Sequence, residues 1–328
     1  MVASSTAAAR SIVIFGATGA QGGSVLAHLL KSDRPYRITA VTRDPSKASS
    51  KAIAAKGVNV IKAELGDKEQ VLAALKEGEL VFAVTNFWEH GREKELADGR
   101  RLMDAAKQVG TKTFYWSGLE PVSKITSGKY TKVEHFDTKV RTQLCTVWFL
   151  RLTVCFVKQA ELLEYGRSLG LPIVDVQPAM YMQNFLSQMG PRKQEDGSYV
   201  FAMPNKPDST LSLLDAAGDY GAFVRGAIET DVPAGGEVLA CGDQITPVQL
   251  AEQWGKALGK KASYHPVDAT TFASQAGEEI TQMLQYFSEF GYFGGKDVGP
   301  SKKVLAKDEK VQTWFEFVKT ADWSKVVS

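Results

Sequence analysis

The stretch SIVIFGATGAQGGSVLAHLL, residues 11–30, constrains the fold more than any other. Residues 12–15 form a short unbroken apolar run, the pattern of a strand buried on both faces. Gly16, Gly19 and Gly22 follow at three-residue spacing, and residues 24–30 then carry helical spacing. Strand, glycine turn and helix in direct succession form the opening unit of a dinucleotide-binding fold. At these positions Gly16 lets the chain turn, Gly19 lets a backbone approach a pyrophosphate, and Gly22 lets the helix close on the strand. The helix N-terminus then faces the anion. The competing reading is a turn that only packs.

The same alternation continues. RITAVTRD (37–44), VNVIKAEL (58–65), LVFAVTN (80–86), TKTFYWSG (111–118) and PIVDVQPA (172–179) read as five more strands. Helical segments lie between several of them, two closed by Gly57 and Gly110 as C-terminal stops. This predicts an α/β chain with a Rossmann-type doubly wound parallel sheet over residues 11–180. After Tyr181 the rhythm changes. Residues 181–328 read mostly as a smaller mixed α/β cap, interleaved with the end of the sheet. Within it ITPVQLAEQWGKALGK is a helix with Thr246 as N-cap and Pro247 at its first position. Tyr286, Phe287, Phe290, Tyr292 and Phe293 cluster there, either as core or as the lining of a substrate cleft beside the cofactor.

The second strand ends in VTRDPSK. An NAD site usually presents an acid here to the ribose hydroxyls. Arg43 and Lys47 suit a 2′-phosphate instead, Arg with a planar fork. Asp44 keeps the acidic alternative open, and a solvated charge run is the bland one. NADP(H) is the expected cofactor.

Charge is nearly balanced, 39 basic against 37 acidic groups in 328 residues. Nothing in that balance asks for nucleic acid or an anionic membrane as an obligate partner, and no basic stripe or recognition-helix pattern points to direct DNA binding. Two of the three cysteines, Cys145 and Cys155, lie in one unusual segment, so no disulfide framework is implied. The N-terminus has no apolar signal core, and no apolar stretch is long enough to span a bilayer. A cytoplasmic location is expected, with the nucleus as a second.

Seven motifs in order — FGATGAQGGSV, VTRDPSK, VTNFWE, YWSGLE, HFDTK, RSLGLP and PAMYMQNF — resemble the NmrA-like branch of the atypical short-chain dehydrogenases, close to its NADP(H)-sensing members. They span about residues 11–186. The resemblance implies a phosphate loop of Gly16, Ala17, Thr18, Gly19, Ala20, Gln21 and Gly22. It implies an adenosine-phosphate grip by Arg43, Asp44, Pro45, Ser46 and Lys47. Glu64 and Leu65 would lie near the adenine, where the family usually has Asp. Thr85, Asn86 and Phe87 would run along the ribose and nicotinamide, and Lys139 would bond the nicotinamide ribose. Tyr181, Met182, Gln183 and Asn184 would face the carboxamide.

Hydride-transferring short-chain dehydrogenases set Tyr four residues before Lys, on one helix face. The Lys lowers the Tyr pKa so that the phenol can pass a proton. Four residues before Lys139 stands His135; Tyr130 is off that face. Ser117 remains after the fifth strand as a candidate carbonyl donor. Two functions follow. The first is a nucleotide-binding sensor or regulator acting on a protein partner, a transcription factor or a metabolic enzyme. The second is an NADPH-dependent reductase of a carbonyl or quinone-like small molecule using His135, Ser117 or the cofactor alone. An oligomer is compatible with either.

The segment from Val140 to Gln159 interrupts this pattern. Its twenty residues contain no Asp, Glu, Gly, Pro or Ala, and twelve are apolar or Cys. Without it HFDTK runs directly into AELLEYGRSLGLP as one amphipathic helix. Val codons begin GT, one Gln codon is CAG, and twenty residues keep the reading frame. The expectation is a short intron translated in place, with a lineage-specific insertion as the alternative. Its β-branched and aromatic content favours strand, with an aggregation-prone window CTVWFL. It is expected to break the helix that aims Lys139, and to depress expression.

Overall fold

The computed structural model describes residues 9–139, 162–187 and 189–327. The segment 140–159 therefore lies outside the described residues, as does most of the N-terminal tail.

The first half alternates as the apolar runs require. β1 (Arg10–Ile14), α1 (Ala20–Lys31), β2 (Tyr36–Thr42), α2 (Ala48–Ala54), β3 (Asn59–Lys62), α3 (Lys68–Leu75), β4 (Leu80–Ala83), α4 (Phe87–Val109) and β5 (Thr113–Trp116) follow in order. Then come the short α5 (Val122–Ile125) and α6 (Glu134–Asp137), α7 (Leu162–Ser168) and β6 (Ile173–Pro178). Ile12 and Ile14 of β1 enter one core and Val13 the other. Both faces of the strand are thus covered, which explains its unbroken apolar run. Val25, Leu26 and Leu29 of α1 pack on the first face; Leu102, Met103 and Ala106 of α4 and Leu162 and Leu163 of α7 pack on the second.

Past residue 179 come β7 (Met180–Tyr181), a 3₁₀ turn (Met182–Leu186), β8 (Arg192–Lys193), β9 (Tyr199–Met203) and β10 (Leu211–Leu214). α8 (Tyr220–Glu229), β11 (Glu237–Ala240), β12 (Asp243–Ile245), α9 (Pro247–Leu258) and β13 (Ala262–Pro266) follow. α10 (Ala269–Ala276) and α11 (Glu278–Phe290) precede the C-terminal helices. The main sheet has seven strands in the order β11-β6-β5-β4-β1-β2-β3, every pair parallel. Its last strand comes from beyond residue 181, because β11 pairs with β6. Two three-stranded sheets, β12-β10-β7 and β13-β9-β8, build the smaller layer.

Several local expectations hold. Thr246 caps α9 in a reciprocal capping box with Gln249, and Pro247 opens the helix. Gly110 ends α4 in the left-handed conformation. Tyr286, Phe287, Tyr292 and Phe293 are buried, and all but Phe293 pack their rings around Phe136. The helix expected from Lys94 starts earlier, at Phe87, with one non-helical residue inside it: Gly91, at φ 72° and ψ 175°.

The helix before Lys139 does end, α6 at Asp137 with α7 beginning at Leu162, but the two described flanks are bonded to each other. Leu162 N donates to Thr138 O at 3.4 Å and Leu163 N to Lys139 O at 3.1 Å. Removing twenty residues from the count makes both of these i to i+4 bonds. The ladder of α6 thus continues into α7 in register, and Leu162 and Leu163 keep their places in the core. Lys139 is aimed by this ladder and by its own buried partners.

Candidate functional site: the crevice at the ends of β1, β2 and β4

Chain direction across the sheet reverses between β1 and β4, and open α/β sheets bind ligands outside the strand ends at such a point. The glycine turn sits there. Gly16 has φ +70°, open to glycine at little strain, and a Cβ on it would meet Val84 Cγ1 at 2.9 Å. A Cβ on Gly22 would lie 2.3 Å from Gly16 O and 2.9 Å from Ala17 N, so only glycine fits. Gly19 N donates to Gly16 O at 2.9 Å and Gly19 is the N-cap of α1. No side chain caps this helix and no acid stands in its first turn. Ala17 and Gln21 are buried, whereas Gly16, Thr18, Gly19 and Ala20 are exposed. The result is an open backbone cradle at a helix N-terminus, the geometry that holds a phosphate anion.

Gln21 Nε2 reaches Tyr181 Oη at 2.5 Å, and so ties the cradle to the exit of β6 and β7. Burial pushes the Tyr181 phenol up to about 12. From the same segment Met182 is in the core, Gln183 bonds Asp215 Oδ1 at 2.5 Å, and the Asn184 carbonyl accepts from Met189 N. Of these four, Tyr181 alone is joined to the glycine turn.

Arg43, at the end of β2, is largely exposed and paired with Glu89 of α4. Asp44 makes a local turn: its carboxylate accepts from Ser46 N at 2.9 Å and Ser46 Oγ at 2.6 Å, which holds its pKa below the ordinary value. Pro45 completes that turn and Lys47 caps α2. Glu64 is exposed beside Lys62 at 3.8 Å, and the Leu65 carbonyl accepts from Arg101 at 2.7 Å.

The other end of the crevice is filled by protein groups. Lys139 Nζ lies 3.2 Å from Glu95 Oε1 and 3.0 Å from Thr85 Oγ1, with the Trp116 ring 5.2 Å away. Thr85 Oγ1 donates to the same Glu95 oxygen at 2.6 Å. The Glu95 side chain is fully buried. Nearby, His135 Nδ1 is 2.5 Å from Glu279 Oε1 of α11, and its other ring nitrogen carries no hydrogen bond among the described residues. The Phe87 and Trp88 rings approach the imidazole at 6.0 and 4.9 Å. Ser117 is buried, with its hydroxyl against the Tyr220 phenol. Tyr130 donates to Glu289 at 2.9 Å, away from Lys139.

Sequence reasoning missed Glu89, Glu95 and Glu279. Each sits beside charged neighbours that read as a solvated face, and its basic partner is 44 or more residues away. Among the described residues no group of three His, Cys, Asp or Glu could hold a metal, and no helix is long and apolar enough to cross a membrane.

The NmrA-like family model matches residues 8–144 and 152–318. The chain belongs to the NmrA-like family. An NmrA-like family oxidoreductase of Aspergillus versicolor is 34% identical over 360 residues, covering 94% of this chain and 96% of that protein. Among solved structures, the negative transcriptional regulator NmrA in complex with NADP is similar, with a TM-score of 0.72 at 19% identity and 95% of each chain covered. An NADPH-dependent quinone oxidoreductase of Escherichia coli gives a TM-score of 0.68 at 22% identity, over 94% of this chain and 98% of that one. At these identities the two structures establish the shared fold.

Proposed function

We propose that the protein binds NADP(H) in the crevice and acts as a nucleotide-responsive regulator of a protein partner, without Tyr-x-x-x-Lys chemistry. Support for the nucleotide comes from the uncapped α1 N-terminus, the Gly16–Gly22 contact that excludes side chains, and the exposed Arg43 guanidinium one strand over. NADP(H) would lay its pyrophosphate on Gly16 to Gly22 and its 2′-phosphate against Arg43, with Lys47 near. When bound, it would supply a hydride donor or acceptor.

One observation carries the regulatory reading. The only lysine at the dehydrogenase position, Lys139, has its charge neutralised by the buried Glu95, and no phenol stands one turn before it. A lysine held this way steadies the crevice wall and does not tune a tyrosine. The second reading, reductase, is favoured by the His135–Glu279 pair. A carboxylate on Nδ1 fixes the tautomer and orients the other nitrogen, the arrangement of a general acid or base.

Calorimetric titration with NADP+, NADPH, NAD+ and NADH tests the first claim, with NADP(H) tighter as the expected result. NADPH consumption over a panel of carbonyls and quinones separates the readings. Substrate-dependent oxidation lost in His135→Ala would overturn the regulator in favour of the reductase.

A further inference from the structure

The two arms of the crevice are joined by an ion pair that no motif announces. Arg43 leaves the end of β2. Glu89 sits in the first turn of α4, which follows β4. Because β1 lies between β2 and β4 in the sheet, the Arg43–Glu89 pair spans the strand whose C-terminal turn is the phosphate cradle. Glu89 is not held by Arg43 alone: Asn86 Nδ2 donates to Glu89 Oε2 at 3.3 Å while Oε1 faces the guanidinium. Gly91, with a backbone conformation open mainly to glycine, sets this turn of α4 at its own angle.

We infer that Glu89 is a cofactor-specificity residue, an internal stand-in for the 2′-phosphate that NADP(H) must displace from Arg43 and NAD(H) need not. The inference rests on the NADP(H) reading above. A guanidinium fork meets a carboxylate and a phosphate with the same donor geometry, so the two anions compete for one face. The carboxylate brings one negative charge and the 2′-phosphate close to two at neutral pH. The phosphate wins, but by less than it would against an unpaired Arg. Glu89 therefore narrows the preference for NADP(H) and keeps Arg43 paired when NAD(H) is bound. Both side chains are substantially exposed, so the competing pair is weak and the effect modest.

The test is a set of titrations on the full chain with NADP+, NAD+ and 2′,5′-ADP, for wild type, Glu89→Gln, Arg43→Ala and the double variant. Glu89→Gln should tighten NADP+ and 2′,5′-ADP by about three- to fivefold and leave NAD+ within about twofold. In the Arg43→Ala background the same substitution should change nothing, which makes the coupling specific to the pair. Glu89→Ala should behave as Glu89→Gln, since neither returns a charge. Unchanged or weaker NADP+ binding in Glu89→Gln, with wild type still preferring NADP+, overturns the inference while leaving the cofactor reading intact. A wild-type chain that binds NAD+ as tightly as NADP+ overturns that reading and this inference together.

Discussion

The two ends of the crevice are built on opposite terms. At the β1–β2 end the chain leaves backbone and charge exposed: the helix N-terminus has no cap, and Arg43 has one surface partner. At the β4–β5 end the Lys139 and Glu95 charges are buried and paired, with Thr85 bonded to both and the Trp116 ring beside the lysine. The open end has binding capacity that the fold does not use. The closed end has its lysine, Lys139, already bonded to Glu95 and Thr85. That division suits a protein whose first task is to hold a nucleotide.

The sharpest way to break this contrast is to unmatch the closed end. Lys139→Met leaves the Glu95 carboxylate buried without its counter-ion and should destabilise the fold by about 3–5 kcal/mol. Urea denaturation would measure it, and Glu95→Gln added to Lys139→Met should restore much of the loss. Single and double variants of equal stability would mean that the pair is not a coupled unit.

Asp175 extends the closed end by pH. It is buried beside Gly118, where a Cβ would lie 2.0 Å from its Oδ1. Burial, with Glu237 and Glu120 adding to it, pushes its carboxyl up to about 7 from an ordinary 3.8. Between about pH 4 and 7 the native protein then holds a proton that the unfolded chain has released. This group makes stability fall as pH rises through that window, by roughly 2–4 kcal/mol in total, and level off above it. Denaturation midpoints measured from pH 4 to 8 should show the slope, and Asp175→Asn should flatten it.

Deleting Val140–Gln159 sharpens the comparison from the other side. Joining Lys139 to Ala160 closes the helix whose ladder already runs from Thr138 and Lys139 to Leu162 and Leu163. It also removes the entropy of closing a loop of that length, so stability should rise by about 2–3 kcal/mol. Soluble yield should rise with it. A deletion variant that is less stable than the full chain would show that the fold depends on the segment. Smallest is the open-end change: Arg43→Ala should weaken NADP+ by about tenfold and leave NAD+ nearly unchanged by calorimetry.

How much of this was readable in the sequence divides along the same line. The open end is local: a glycine triplet after an apolar strand, then Arg43 at the next strand's end, with each position following from its neighbours. The N-cap of α9 is equally legible because Thr246, Pro247 and Gln249 fall within four residues. The closed end is not local. Glu95 lies in the run EKELADGRR, which reads as a solvated helix face, and its burial depends on Lys139 and Thr85 arriving from other elements. α3 was passed over although Asp67 caps it by accepting from Gln70 N, because eight residues carry too weak a periodic signal. The start of α4 was misplaced because Gly91 interrupts the helical spacing that marks its beginning. That β11 joins the main sheet follows from its pairing with β6, and no property of EVLA alone declares it.

The hydrogen bonds from Leu162 and Leu163 back to Thr138 and Lys139 have a practical side. They hold the two described flanks of the 140–161 junction within one helical turn, beside the Lys139–Glu95 pair. A fluorescent protein grafted at that junction would be mechanically linked to the crevice, and its emission would give a genetically encoded readout of ligand occupancy.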